Sequence, residues 1–357
     1  MNYIKVYSKG VSQMKSSTLK EIAEKLNVSV STVSRAVNQK EYVKEETRER
    51  VLRALEEYNY VPNEVARSLK MKSTKTIGIV VPDICETLFG MIIKGIDQVV
   101  SPQGYSIIVS DTNENKKNEE KYLNLLYQKR VDALVLATVD LKGTKAYEYI
   151  KSGIPVIFID NIPALDIPVE SVTIDNAKAS QMAVEYLIRN GHQKIAVIGG
   201  SVDETTGYER ISGYRDTLRK HGIEVDEQLI RYGMYKEDDG FRCMQEFLNN
   251  RGQSAFSAVY VTSEMMTFGA MKAIRQYGLR IPDDISIVGF DVHDKAGLVY
   301  PSITTVREPE VLIGTKVGEL LLARLKKERK DMCQLEEDNK VLLDPDLEIG
   351  QSVRCIL

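Results

Sequence analysis

Seven short apolar runs, each followed by a longer amphipathic segment, constrain this chain more than any other feature of its sequence. Buried strands that alternate with helix-length segments are typical of parallel sheets with helices on both faces. Seven strands exceed one ordinary doubly wound sheet, so the sequence predicts two lobes with a ligand cleft between them. The runs occupy residues 77–81, 105–110, 133–137, 155–160, 194–199, 258–262 and 286–291.

The first 75 residues differ from this pattern in their charge. They contain 15 lysines and arginines against nine glutamates, a net charge of +6, whereas the rest of the chain carries −9. A basic module on an acidic body favours a polyanionic partner at one end. No apolar run of the 357 residues is long enough to span a bilayer, and the start lacks a secretory signal. The sequence therefore predicts a cytoplasmic protein of two or three domains.

Three short helices are predicted within the basic segment. Residues 18–21, TLKE, have the spacing of a capping box, and the apolar residues after them recur at helical intervals. A second helix is predicted to start after Ser29 with Val33 and Val37 on its inward face. A third helix covers about residues 45–58. Three such helices make a compact unit of about 45 residues.

The second of these helices has a polar outer face. Val30, Ser31 and Arg35 are predicted to point outward, and an arginine can bond guanine through O6 and N7 together. Two helices joined by a tight turn, the second one polar outside, are typical of a helix-turn-helix that enters the DNA major groove. A small solvent-exposed helical bundle is the alternative on these residues alone.

The segment NEVARSLK, residues 63–70, is too short to form a stable isolated helix. It is basic through Arg67 and Lys70, and Leu69 has no obvious core to enter. An apolar side chain on a basic segment can act as a wedge in the DNA minor groove. The alternative is a plain linker helix packed on the body.

Seven ordered motifs, found between about Ser17 and Ser352, resemble the LacI/GalR family of bacterial transcriptional repressors. The resemblance implies a homodimeric repressor that binds a pseudo-palindromic double-stranded operator and responds to a small molecule between its lobes. The motifs are TLKEIAEKLNVSVSTVSRAVN, YNYVPNEVARSL, VTIDN, GHQKIAVIGG, ERISGYRDTL, GLRIPDDISIVGFD and PSITTVREP.

The resemblance also implies which residues touch DNA. Val30, Ser31 and Arg35 match the base-reading positions of the family. Leu69 matches the intercalating leucine, Ala66 matches the small residue where two hinge helices pack, and Arg67 and Lys70 accompany them in the minor groove. The positions that match phosphate contacts are Thr18, Ser29, Thr32, Ser34 and Asn38.

A second set of positions matches the family's effector site. The implied effector is a sugar or sugar derivative, although Ser263-Glu264 and Thr87-Leu88 replace the family's usual Asn-Asp and Asn-Pro. The lost asparagine amide could both donate and accept, which argues against an ordinary neutral hexose. Arg210 could instead form an interlobe ion pair with Asp160 or Asp291. The matching effector residues are Phe89, Asp160, Arg210, Tyr235, Ser263 and Asp291.

The predicted fold class is α/β, with an all-α helix-turn-helix domain and hinge helix ahead of a two-lobed periplasmic-binding-protein-like domain. Residues 1–16 are expected to be a disordered or extra extension, with Met14 a possible start. The boundaries predicted are a DNA-binding domain at 17–62, a hinge at 63–76, a first lobe at 77–173 and 308–337, and a second lobe at 174–307 and 338–357.

Two other classes of protein share this alternation of strands and helices. An enzyme is disfavoured because the chain has no GxGxxG after its first strand, no GxxxxGK[ST] and no GxSxG. Its three histidines and four dispersed cysteines suggest no catalytic cluster, metal site or cofactor. A solute-binding sugar sensor of similar two-lobed fold is the closer rival, and it would lack salt-dependent DNA binding.

Overall fold

The computed structural model describes residues 18–37, 43–58, 60, 73–250, 255–294, 297–326 and 337–357. The chain divides into two compact units, with the boundary in sequence between Thr74 and Lys75. The predicted extension at residues 1–16 lies outside the described residues. So do Asn38 and the four hinge positions Ala66, Arg67, Leu69 and Lys70.

The described part of the first unit contains three helices, and the sequence predicts all of them. They are α1 (Leu19–Leu26), α2 (Val30–Val37) and α3 (Glu45–Glu57). The capping box is confirmed: Thr18 Oγ1 accepts from the Glu21 N–H at 3.3 Å, and a Glu21 carboxylate oxygen accepts from the Thr18 N–H at 2.7 Å. Because its residues are few, this unit depends on a small core. That core consists of Ile22, Ala23, Val33, Ala36, Val51 and Ala54.

The second unit is built on two six-stranded sheets. All of the predicted strands are present, and five further strands accompany them among the described residues. The strands are β1 (Thr76–Val81), β2 (Ser106–Asp111), β3 (Ala133–Leu136), β4 (Val156–Ile159), β5 (Glu170–Ile174), β6 (Ile195–Gly199), β7 (Ile230–Tyr232), β8 (Ala258–Val261), β9 (Ser286–Phe290), β10 (Thr304–Arg307), β11 (Asn339–Leu343) and β12 (Asp346–Glu348).

Helices cover both sheets of the second unit. Short 3₁₀ turns occur at Ser101–Gln103 and Glu227–Leu229. The helices are α4 (Thr87–Val100), α5 (Lys116–Gln128), α6 (Ala146–Lys151), α7 (Asn176–Arg189), α8 (Thr205–Lys220), α9 (Glu237–Asn249), α10 (Glu264–Gln276) and α11 (Glu310–Leu325).

The two sheets define two lobes. The first lobe has the strand order β11-β5-β4-β3-β1-β2, and all its neighbouring strands are parallel. The second lobe has the order β12-β10-β9-β8-β6-β7, in which the edge pair of β10 and β12 is antiparallel. The central strands are buried along their whole length, as sheets covered on both faces require.

The predicted start of the last second-lobe segment at residue 338 is wrong. Residues 339–343 form β11, which pairs with β5 in the first lobe from Asn339 opposite Glu170 to Leu343 opposite Ile174. The chain passes from the first lobe to the second only after Leu343. β11 is an edge strand in which half-buried and exposed residues alternate, so it lacks the continuous apolar run that marks the central strands.

Two helices of the first lobe approach each other at glycines. A Cβ atom at Gly95 of α4 would clash with the Val311 carbonyl, and one at Gly314 of α11 would clash with the Ile92 carbonyl. The glycines therefore allow the backbones of α4 and α11 to pack in direct contact. None of the helices in the described part of the chain could cross a membrane.

Candidate functional site

The outer face of α2 carries the three residues predicted to read DNA bases. Val30, Ser31 and Arg35 are all exposed, with 45% of the Val30 surface accessible. Val33 and Ala36 anchor the opposite face in the three-helix core. Packing on one side of α2 therefore presents a mixed polar and apolar surface on the other.

Hydroxyl groups stabilise the starts of both α1 and α2. Ser29 Oγ accepts from the Thr32 N–H at 3.1 Å and lies 2.7 Å from Ser31 Oγ and 2.8 Å from Thr32 Oγ1. Thr18 has the same capping role at α1. Two of the predicted phosphate contacts are thus also helix caps. Helix starts of this kind suit anions, because N–H groups in the first turn lack partners within the helix.

A cavity of about 410 Å³ lies between the two lobes of the second unit. It sits at the carboxyl ends of parallel strands, where Asp160 follows β4 and Asp291 follows β9. Sheets of this type bind ligands at that edge. The structure brings all six predicted effector residues to this interlobe cavity, although their contact with a ligand stays a prediction. They are Phe89, Asp160, Arg210, Tyr235, Ser263 and Asp291.

Three of these residues have a left-handed backbone. The φ angles are +59° at Asp160, +60° at Tyr235 and +51° at Asp291. Non-glycine residues adopt this region infrequently, and such strain concentrates at ligand sites, where it aims a side chain that a relaxed backbone would turn away. The strained conformation at all three positions supports a ligand-binding role for the cavity.

Arg210 is held by contacts to several elements. Its Nε donates to Asn176 at 2.8 Å, Nη1 donates to the Thr262 carbonyl at 2.9 Å, and Nη2 pairs with Glu308 at 2.8 Å. The guanidinium carbon lies 3.6 Å from the Phe290 ring centroid. The ion pair that the sequence suggested with Asp160 or Asp291 is therefore made with Glu308 instead, since the turn after β10 brings that carboxylate to α8.

A group of buried carboxyls surrounds this arginine. Burial raises the pKa of Asp160 and of Asp291 well above the usual range, and the nearby Glu308 charge adds to both shifts. Burial also raises the pKa of Glu308, while Arg210 acts in the opposite direction. The Glu308 N–H donates to Asp291 at 2.8 Å. One arginine thus faces three carboxyl groups in a poorly solvated place.

Charged residues join the two lobes across the cavity. Lys236 of the second lobe lies 3.0 Å from Asp83 and 2.9 Å from Glu114, both of the first lobe. His293, which follows β9, lies 2.9 Å from Glu310 at the start of α11 and 3.2 Å from Glu264. Hydrogen bonds to these two glutamates raise the pKa of His293 to about 9, so it is cationic at neutral pH. These contacts hold the lobes together.

A buried glutamate shapes one wall of the cavity. Glu119 of α5 accepts from Thr138 Oγ1 at 3.0 Å, from the Val139 N–H at 2.7 Å and from Thr144 Oγ1 at 2.7 Å. The loop held in this way supplies the lining residues Val139, Leu141 and Lys142. Because Glu119 is only 1% exposed, its hydrogen bonds are shielded from water and keep the loop in place.

Several charged cavity residues are absent from the sequence predictions. Glu86 and Glu204 occupy the N-cap positions of α4 and α8, and Glu308 directly follows β10. Acidic residues at helix starts are ordinary because the helix dipole favours them. The sequence therefore carries no signal that separates these three from other surface glutamates.

Two family models match the chain. Residues 18–63 match bacterial regulatory proteins of the lacI family, and residues 74–338 match the periplasmic binding proteins and sugar-binding domain of the LacI family. The two matched ranges correspond to the two compact units.

Individual proteins resemble the chain over nearly all its length. It is 33% identical over 318 residues to the HTH-type transcriptional repressor CytR of Escherichia coli K12, which covers 89% of this chain and 92% of that protein. The lac repressor dimer bound to operator and an anti-inducer superposes with a TM-score of 0.82 at 27% identity. The match covers 95% of this chain and 100% of that chain. A complex of the transcriptional regulator CelR with cellobiose superposes with a TM-score of 0.69 at 28% identity. The match covers 94% of this chain and 99% of that chain.

Proposed function

Because this chain belongs to the LacI family of bacterial regulatory proteins, we propose that a small molecule in the interlobe cavity controls its attachment to operator DNA. The chain is a DNA-binding transcriptional regulator, and its relatives are repressors. The observation that carries the proposal is the cavity itself, which gathers all six predicted effector residues from both lobes. A ligand that contacts both lobes binds their closed arrangement best, so it shifts their equilibrium.

The DNA end of the mechanism rests on α2. Arg35 reads guanine in the major groove, Val30 packs on a base edge, and Ser31 bonds a base or phosphate. Thr18, Ser29, Thr32, Ser34 and Asn38 hold the phosphates on either side, which fixes the position of α2 in the groove.

Two copies of the chain bind one pseudo-palindromic operator. Ala66 lets the paired hinge helices pack closely, Leu69 opens the central base step, and Arg67 and Lys70 line the minor groove. The hinge spans residues 63–76 and joins the DNA-binding domain at 17–62 to the ligand-binding domain. Because the hinge is too short to be helical alone, the ligand can control DNA binding through the spacing of the two copies.

The effector is a sugar or sugar derivative. Aromatic and apolar groups such as Tyr235 and Phe290 suit the carbon face of a ring, while Asp160, Asp291 and Asn161 suit its hydroxyls. The cellobiose complex of CelR is a precedent in a protein of similar fold. The chain acts by binding rather than by catalysis, and it works in the cytoplasm beside its DNA.

The test is selection of DNA by the full chain from a pool of random duplexes, followed by a salt titration. A regulator of this kind should enrich a pseudo-palindrome and lose affinity steeply as salt displaces its phosphate contacts. A truncated chain starting at Lys75 is the control and should enrich nothing. If the full chain enriches no sequence, the DNA-binding assignment fails and the solute-sensor alternative takes its place.

A further inference from the structure

The interlobe cavity holds three carboxylates that form no ion pair among the described residues. Glu86 and Asp160 reach it from the first lobe, and Glu204 reaches it from the second. Asp160 accepts from the Asn161 amide at 3.1 Å, and the nearby Tyr235 and Asn161 side chains lower the pKa of Glu204 against the larger effect of its burial. No hydrogen bond or ion pair in the described structure involves the carboxylate of Glu86.

The cations near the cavity are engaged by other acids. Arg210 pairs with Glu308, His293 bridges Glu264 and Glu310, and Lys236 pairs with Asp83 and Glu114. Lys116 and Lys142 line the mouth, but both are exposed to solvent, and Lys116 pairs with Asp140. The balance of charge inside the cavity is therefore negative.

The pKa values of the three carboxyl groups are all raised, which agrees with an excess of negative charge in the cavity. Burial and the charge of Glu114 raise the pKa of Glu86 to about 7. Burial likewise raises the pKa of Glu204, and it raises the pKa of Asp160 well above the usual range. Each group also feels its neighbours, since the charges of Glu204 and Glu86 both raise the pKa of Asp160. The cavity thus places like charges close together with too few counter-charges.

Two residues on one wall of the cavity, Ser263 and Glu264, are engaged in local contacts. Ser263 Oγ caps α10 by accepting from the Met266 N–H at 3.3 Å. Glu264 accepts from both the backbone N–H and the ring of His293, at 2.7 and 3.2 Å. The loss of the family's asparagine at position 263 is therefore not replaced by another amide at that wall.

We propose that the effector is a small hydroxylated compound with a protonated primary amine, such as an amino sugar, whose ammonium group lies among Glu86, Asp160 and Glu204. This inference rests on the proposed function of the cavity. An ammonium offers three donors and one positive charge, which suits a site with three acceptors and excess negative charge. The sugar ring then lies against Tyr235 and Phe290, with Asp291 as a hydroxyl acceptor.

This ligand chemistry also explains how binding can change the lobes. Glu86 and Glu204 belong to opposite lobes, and each is repelled by an acidic residue of the other lobe, Glu86 by Glu264 and Glu204 by Glu114, which opposes closure. A cation between them removes the repulsion and adds attraction to both lobes. The ligand therefore gains more in the closed arrangement than in the open one, which is the condition for a conformational switch.

Calorimetry of the full chain with matched sugars tests the charge. The probes are glucosamine, galactosamine and mannosamine, each compared with its neutral hexose and its N-acetyl form at pH 7. At least one amine should bind ten times more tightly than both of its uncharged counterparts, with release of protons from the cavity carboxyls. Equal or tighter binding of an uncharged counterpart, or no binding of any amine, would overturn the proposal.

Variants locate the charge within the cavity. Glu86→Gln and Glu204→Gln should each weaken the best amine tenfold or more and weaken its neutral hexose by a clearly smaller factor. Glu120→Gln, which removes an exposed carboxylate on α5 outside the cavity, is the control and should change neither. Circular dichroism first shows that both variants fold. If the amine then binds both variants as tightly as the original protein, the assignment of the ammonium group is contradicted.

Operator binding separates this inference from the function on which it rests. If an amine binds but leaves operator affinity unchanged, the ligand class stands and control of DNA by the cavity fails. If a neutral hexose alone alters operator affinity, the cavity keeps its function and the ammonium assignment fails.

Discussion

The outer face of α2 and the interlobe cavity organise their polar groups in opposite ways. On α2 the contacts are local: Ser29 bonds residues two and three positions away, and Arg35 is exposed. In the cavity the contacts are distant in sequence, as in the pair of Arg210 and Glu308, which are 98 positions apart. A local arrangement can be interpreted from one stretch of sequence, whereas a distant one exists only after folding.

The two regions also differ in solvation. Polar groups on α2 stay in water, so their removal should change recognition more than stability. Cavity charges are withdrawn from water, so each depends on its neighbours and affects the fold itself. Four substitutions test this contrast, in order of decreasing expected effect.

Replacing Arg210 should have the largest effect on stability. Arg210→Met would leave Glu308 buried without its partner, and we expect a loss of about 3 to 5 kcal/mol in the free energy of unfolding. Urea denaturation followed by circular dichroism measures it. The control is Arg219→Met, whose exposed pair with Asp216 should contribute less than about 1 kcal/mol. Similar losses in both variants would remove the contrast between buried and exposed charge.

Replacing Arg35 should affect DNA recognition instead. Arg35→Ala is expected to cost about 1 to 3 kcal/mol on the selected operator and to relax the preference at one base pair. The free energy of unfolding should stay unchanged because the Arg35 side chain is exposed. Fluorescence anisotropy on operator and random duplexes measures the difference, with Arg53→Ala on α3 as control. An equal loss on both DNAs would show that Arg35 contacts only phosphate.

Replacing Glu86 should stabilise the unliganded protein above neutral pH. Since burial raises the pKa of this carboxyl to about 7, from an ordinary value near 4.5, the fold favours the protonated form. The native state therefore loses stability as pH rises from about 4.5 to 7. Glu86→Gln avoids this loss, and we expect a gain of about 1 to 2 kcal/mol at pH 8, reduced by the partial solvation of the site.

Measuring the stability of the Glu86→Gln variant at two pH values tests this prediction. Thermal unfolding at pH 4 and at pH 8 should show the gain only at the higher pH, where the native glutamate is charged. Glu120→Gln should show no gain at either pH. A gain that persists at pH 4 would mean that packing rather than charge stabilises the variant.

Replacing Thr18 should give the smallest effect, confined to the first unit. Thr18→Ala removes the cap of α1 and is expected to cost about 1 kcal/mol of local stability. Hydrogen exchange of the amides in residues 19–26 measures it, and Thr18→Ser, which keeps the hydroxyl, is the control. Loss of protection that extended equally through the second unit would contradict a purely local cap.

Much of the fold follows from periodicity. The capping box at Thr18, the inward face at Val33 and the seven strands predicted from apolar runs all depend on residues close together in sequence, and the structure contains them. Edge strands such as β11 were missed because their half-buried faces lack a continuous apolar run. The last crossing between lobes was misplaced for that reason.

The six predicted effector residues were identified through the family motifs, and the structure gathers them at one cavity. The partner of Arg210 was not predictable, because nothing near Glu308 in sequence distinguishes it from other glutamates. The unbalanced charge of Glu86 and Glu204 was equally hidden, since acidic residues commonly precede helices.

The sequence by itself determined the helices, the central strands, the two-lobed α/β class and the DNA-facing side of α2. Each of these depends on the spacing of apolar residues along one segment, which the chain carries whether folded or not. Only the tertiary structure decided which charges meet in the cavity. Coulomb interactions and desolvation depend on distance and burial in space, and two segments acquire these only when the lobes assemble.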